Sequence, residues 1–254
     1  TLLLLITCIV TIWYIFRQQR LNQIKNDFIN NMTHELKTPV ASISLASQML
    51  NDPAVTKSPK MLEHISNIIK DETKRLTFQV DKVLQMSVFE RENIKIELQE
   101  NNINEIIQTI AENYSLKIHS KGGNLYTDLQ AHNAFVNIDE MHFGNIIYNL
   151  LDNAVKYSRE DTPIIITIST WNDNKDNLFI AIEDNGIGIK KEYQKHIFDK
   201  FYRVPTGNRH DIKGFGLGLS YVKKIVQLHK GQIKVESEPN IGTKFVIELK
   251  TIEI

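Results

Sequence analysis

A histidine beside a glutamate is the first arrangement able to do chemistry, in Asn30-Asn31-Met32-Thr33-His34-Glu35-Leu36-Lys37-Thr38-Pro39-Val40. A neutral imidazole offers one free ring nitrogen at pH 7, and an adjacent carboxylate can orient or deprotonate the other. His34 stands two residues before Leu36, about 200° round a helix. It therefore faces away from the apolar stripe of Leu21, Ile24, Phe28, Met32, Leu36, Ile43 and Leu50. No second ligand lies near it in sequence, so the position is neither core packing nor a metal site.

Four further clusters lie far downstream. In Asn149-Leu150-Leu151-Asp152-Asn153-Ala154-Val155-Lys156-Tyr157, the residues Asn149, Asn153 and Lys156 share one helical face. Amide oxygens can ligate Mg²⁺ beside phosphates, and a lysine offsets phosphate charge. Next comes Glu183-Asp184-Asn185-Gly186-Ile187-Gly188-Ile189. An ionised Asp184 only accepts hydrogen bonds, which suits an exocyclic amine, while Gly186 and Gly188 allow a ligand close to the backbone. The third cluster, Ile197-Phe198-Asp199-Lys200-Phe201-Tyr202-Arg203, carries aromatics that could anchor a flap. The last, Gly214-Phe215-Gly216-Leu217-Gly218-Leu219, runs into a helix whose free N–H groups can cradle phosphate. Its G-x-G-x-G spacing is not a dinucleotide fingerprint, and no βαβ unit surrounds it. The polar run 205–213 reads as a lid, with Arg203, Arg209 and Lys213 as phosphate contacts. The other histidines (His64, His119, His132, His142, His196, His210 and His229) match no motif and receive no chemistry.

These residues need elements to hold them. The helical stripe runs from about Arg17 to Leu50, with Pro39 loosening the turn at Glu35, and Asn51-Asp52-Pro53 ends it. Ser58-Pro59 reads as an N-cap and first position of a second helix to about Glu90. Two long helices with a short connection make an antiparallel hairpin; four helices from two chains would cover both stripes. Beyond Glu90, alternation predicts strands at 94–98, 125–129, 164–171, 178–183, 232–236 and 244–249. Helices are expected from the Asn102/Glu105 capping box to about Ser120, from Asp139 to Tyr157, and from Leu217 to Lys230. Helices grouped with long antiparallel strands predict an α+β two-layer sandwich.

Bulk properties narrow the choices. The 254 residues are 42% hydrophobic and formally neutral, which suits two modest units and gives no electrostatic case for binding nucleic acid. One cysteine, Cys8, excludes an internal disulfide and a cysteine zinc site. Residues 1–16 are uncharged, about 24 Å long as a helix, and followed by Arg17 and Arg20. They are expected to be the cytoplasmic end of a transmembrane helix cut short of the ~30 Å span.

On these five clusters, in this order, the sequence resembles the membrane-bound sensor histidine kinases of bacterial two-component systems over roughly residues 17 to 250. The resemblance implies a HisKA-type hairpin at 17–90, paired into a dimeric four-helix bundle. A GHKL-type ATP-binding domain of Bergerat fold then occupies 91–254. It implies ATP with its adenine at Asp184, Mg²⁺ at Asn153 with Asn149 in support, and phosphates addressed by Lys156, Arg203 and the Gly214, Gly216 and Gly218 lid. Tyr157, Gly186, Gly188 and Leu219 belong to the same expected site. His34 would accept the γ-phosphoryl group with Glu35 as base or orienting group, and pass it to an aspartate of a response regulator. Thr38, one turn beyond His34, would position water to dephosphorylate that regulator. The implied partners are a second copy, a cognate regulator and the inner membrane, with residues from about 17 onward in the cytoplasm. The direct run from Phe16 to His34 implies signalling by a small rotation, tilt or piston motion. The alternatives are a GHKL-type ATPase whose hairpin only dimerises and a non-catalytic signalling scaffold.

Overall fold

A computed structural model describes residues 2–52, 55, 58–90, 95–204 and 216–252. Within its helices, the side chains of residues 2, 13, 17, 20–25, 27, 28, 31, 32, 34, 35 and 77–90 fall outside the description. The chain divides into two compact units, Thr1–Glu92 and Asn93–Ile254.

The first unit is helical. Helix α1 covers Leu2–Met49, 48 residues with Pro39 inside. At 1.5 Å per residue that is about 72 Å. The loosening expected at Pro39 does not end the helix: proline removes one N–H, and the turns on either side continue it. Helix α2, Pro59–Glu90, begins as the Ser58-Pro59 pair predicts, with the N–H groups of Met61 and Leu62 both donating to the Ser58 carbonyl at 3.0 Å. Ala46, Val55 and Ile65 are buried between the helices, and Leu50, Leu62, Ile68 and Ile69 pack on them. Residues near the end of α1 thus meet residues near the start of α2, which makes the hairpin antiparallel. Val40, Leu45, Met49 and Met61 remain exposed on it.

Among the described residues no helix is long and apolar enough to cross a membrane. The transmembrane end expected at 1–16 therefore gains no support from the fold. Leu3, Leu4, Leu5, Ile6 and Phe16 lie exposed along α1.

The second unit runs β1 (Gln99–Asn102), α3 (Ile103–His119), β2 (Asn124–Leu129), β3 (Phe135–Ile138), α4 (Glu140–Lys156), β4 (Ile165–Asn172), β5 (Asn177–Asp184), α5 (Lys191–Gln194), α6 (Gly218–Leu228), β6 (Gln232–Glu238) and β7 (Gly242–Lys250). Five strands form one sheet in the order β2-β4-β5-β7-β6, and β1 pairs separately with β3. The pairing is antiparallel except between β2 and β4, which are parallel, so the sheet is mixed rather than wholly antiparallel. Alternate residues of the central strands (Ile166 and Ile168, Ile180 and Ile182, Phe245 and Ile247) are buried, and α3, α4 and α6 supply the apolar faces that cover them. Two layers result, as a half-buried sheet requires.

Local signals explain most of these elements. Asn102 caps α3 by accepting from the Asn104 N–H at 3.0 Å, while its own amide donates to Glu105. Asp139 caps α4 through the His142 N–H at 3.0 Å. One strand is displaced from expectation: residues 95–98 are not in the ladder, and the first strand is Gln99–Asn102. The alternation there is not a buried face, since Leu98 is exposed. Register is set instead by pairing of Gln99 with Ile138 through Asn102 with Phe135.

Candidate nucleotide site and phosphoacceptor helix

Asp184 ends β5, where the sheet gives way to the glycine-rich loop. Its Oδ1 accepts from the Gly186 N–H at 2.8 Å, an Asx turn that closes the loop on its own carboxylate. Burial is the largest influence on this group and pushes its pKa up to about 6, with Glu183 adding to the rise. The N–H groups of Gly186 and Thr243 oppose it. At neutral pH the carboxylate is ionised in spite of its burial, and it can accept a further hydrogen bond.

The glycines around it are required by close approach. A Cβ on Gly186 would sit 2.5 Å from the Tyr157 carbonyl oxygen. On Gly188, at φ +66°, it would sit 1.9 Å from the Glu238 carbonyl oxygen. The loop is thus gripped from two sides: the Ile187 N–H donates to the Tyr157 carbonyl at 3.0 Å, and the Asn240 N–H donates to the Ile187 carbonyl at 2.8 Å. No side chain larger than hydrogen fits between these backbones.

A cleft opens beside Asp184. Asn153, Tyr157 and Leu219 line it, together with Gly188, Arg203 and Thr243, and its apolar wall comes from Ile187, Ile189, Ile197, Val204 and Phe245. An apolar cleft with a few convergent polar groups is the expected form of a small-molecule site. Asn153 and Tyr157 reach it from the last turns of α4, where Lys156 places its ammonium 5.0 Å from the Tyr157 ring centroid. Burial raises the Tyr157 pKa and the Arg203 charge opposes it, so this guanidinium acts electrostatically on the cleft.

Asn149 donates to the Asn145 carbonyl at 2.7 Å, one turn back along α4. Its Oδ1 lies 2.9 Å from where a Cβ of Gly218 would be, so the glycine lets α4 approach the start of α6. Gly216, at φ +69°, packs against the Phe201 backbone, and the Phe201 N–H donates to the Gly216 carbonyl at 2.8 Å. The third and fourth sequence clusters therefore meet. Phe198 is held edge-on to Phe245, with ring centroids 6.3 Å apart. Gly214, Arg209 and Lys213 lie outside the described residues.

His34 and Glu35 lie within α1, with their side chains outside the description, and Thr38 is exposed one turn later. The structure brings Asn149, Asn153, Lys156, Tyr157, Asp184, Gly186, Gly188, Arg203, Gly216, Gly218 and Leu219 around one cleft or its rim. Thr243 is the functional neighbour that sequence reasoning missed. It is 7% exposed, faces the cleft and pairs across the sheet with Asp184. Only strand register reveals it; the Gly242-Thr243 pair at the start of β7 was the available signal.

Among the described residues no group of three or more His, Cys, Asp or Glu side chains could hold a metal ion. A protein-only metal cage is thereby excluded from that set. A Mg²⁺ carried by phosphates and completed by one amide oxygen fits, because Mg²⁺ keeps several waters and takes few protein ligands.

Comparison with known proteins follows the same division. Residues 24–92 match the His Kinase A (phospho-acceptor) domain, and residues 138–253 match the histidine kinase-, DNA gyrase B- and HSP90-like ATPase domain. The sensor protein RprX of Bacteroides fragilis is 56% identical over 253 residues, spanning 100% of this chain and 49% of that protein. The sensor protein SrrB of Staphylococcus aureus is 30% identical over 241 residues, spanning 95% of this chain and 40% of that protein. The chain thus covers half or less of these relatives' lengths. In fold it is similar to histidine kinase ThkA solved in complex with response regulator protein TrrA, at TM-score 0.59 and 23% identity, covering 93% of this chain and 64% of that one.

Proposed function

The chain belongs to the sensor histidine kinase family, and from that premise we propose that it phosphorylates His34 from ATP and passes the phosphoryl group to an aspartate of a response regulator. The observation that carries this reading is the partly buried Asp184 carboxylate at the end of an apolar cleft, in the unit that follows a phosphoacceptor-type helix. Ionised, it accepts from an exocyclic amine such as adenine's, and the isoleucine and phenylalanine wall takes the face of the base. Arg203, Lys156 and the N–H groups at the start of α6 suit the phosphates. ATP supplies the phosphoryl group; Mg²⁺, held through Asn153 with Asn149 in support, would offset its charge.

An imidazole nitrogen of His34 forms the bond to phosphorus as the bond from that phosphorus to the ADP oxygen breaks. Glu35 takes or shares the proton on the other ring nitrogen. Thr38, exposed on the same face, supports a second activity in which water is positioned to dephosphorylate the regulator. The apolar residues exposed on the hairpin, Val40, Leu45, Met49 and Met61, support pairing with a second copy into a four-helix bundle. The uncharged stretch 1–16, with its exposed leucines, supports placement at the inner membrane with residues from about 17 onward in the cytoplasm.

Incubation with γ-labelled ATP and Mg²⁺ tests the central step. Label should appear on His34, acid-labile and alkali-stable, and vanish in His34→Gln while ATP binding persists. Steady phosphate release undiminished in His34→Gln would instead favour an ATPase with a dimerising hairpin.

A further inference from the structure

Between the glycine loop and the cleft, the backbone climbs in steps of three. The N–H groups of Tyr193, His196, Asp199 and Tyr202 donate to the carbonyls of Lys190, Tyr193, His196 and Asp199, at 2.9, 2.9, 2.8 and 3.2 Å. A short helix, Lys191–Gln194, thus passes into successive turns, and the positive φ of Phe201 (65°) reverses the last of them at Tyr202. The carboxylate of Asp199 can only accept, so the His196 Nδ1 that meets its Oδ2 at 2.9 Å carries the proton. That bond fixes the imidazole plane. The ring then lies against Tyr202, with centroids 5.4 Å apart and planes tilted by 40°. Tyr202 lines the cleft, and Arg203 follows it directly.

The geometry points to His196 as a positioning residue for nucleotide binding: anchored by Asp199, it props the Tyr202 ring in place as a wall of the cleft. The inference rests on the nucleotide reading of that cleft. Nothing in the third cluster's own residue types required a histidine at this place; the Asp199 carboxylate on one side of the ring and the Tyr202 ring on the other give it the task. The same segment turns Ile197 into the cleft and Phe198 onto Phe245.

Binding of ATP with Mg²⁺ to the full chain, measured by calorimetry beside thermal unfolding without nucleotide, tests this. A tilted aromatic contact corresponds to a change of roughly threefold to tenfold in affinity, which is the weakening expected for His196→Ala. His196→Phe keeps a ring against Tyr202 and loses only the anchor, so it should fall between His196→Ala and the unsubstituted chain. Asp199→Asn should weaken binding less than His196→Ala and in the same direction. Should His196→Ala fail to fold, the ranking of His196→Phe and Asp199→Asn decides. Unchanged affinity in His196→Ala overturns the proposal, as does His196→Phe binding no better than His196→Ala. Absence of ATP binding by the unsubstituted chain overturns the nucleotide reading and this one with it.

Discussion

The hairpin and the second unit bury their apolar residues in opposite ways. In the second unit a five-stranded sheet and three helices enclose a continuous core, from Ile103 and Ile107 through Ile146 and Leu150 to Ile180 and Ile247, each essentially without exposure. In the described part of the hairpin, full burial is confined to Pro39, Ala46, Val55 and Ile65, while Val40, Leu45 and Met61 are exposed. A two-helix hairpin has no third element to close over its stripes. One unit is therefore closed within a single chain, and on the proposed pairing the other would be completed by a second copy.

Three measurements would break or sharpen that contrast. The largest effect is expected from Leu45→Glu. A charge on the open stripe should weaken self-association by about a hundredfold or more, seen as monomers in analytical ultracentrifugation, while ATP binding stays unchanged. If the dimer persists, this stripe is not the dimer surface. Next is Gly188→Ala, inside the self-sufficient unit. A methyl group 1.9 Å from the Glu238 carbonyl oxygen, at a positive φ, forces the loop apart. The unit should lose on the order of 3 kcal/mol in denaturant unfolding, and the hairpin's association should not respond.

The smallest is a pH effect on Asp184. Its folded pKa of about 6 stands above the unfolded value of 3.8, so the stability it contributes is present below about pH 4 and is lost as pH rises through 6. Holding this carboxylate ionised at neutral pH costs the empty unit on the order of 3 kcal/mol. A ligand that donates to the ionised form should consequently bind about tenfold more weakly for each pH unit below 6, measured as ATP affinity between pH 5 and 8. A flat profile would mean the adenine donor does not meet Asp184.

Much of this was legible in the sequence because it is local. The Asn102/Glu105 capping box and the Ser58-Pro59 start encode their geometry within a few residues. What was not legible depends on register. Thr243 reaches Asp184 only because β7 pairs with β5, and β3 is too short, at four residues, for alternation to announce it. His229 shows the same. Its Nε2 accepts from the Asp139 N–H at 2.9 Å and its Nδ1 donates to the Ile225 carbonyl at 2.8 Å, so it ties the end of α6 to the cap of α4, 90 residues away. Burial lowers its pKa and keeps it neutral, a structural role no spacing in the sequence could disclose.

The unbroken course of α1 through Pro39 has a mechanical consequence. A continuous helix locks the angular phase of every residue to that of its neighbours, about 100° apiece, so its two ends cannot turn independently. On the proposed signalling reading, a rotation imposed near Phe16 would meet no break in the helix before the level of His34, and the output would depend on how many residues separate the two as much as on which residues they are.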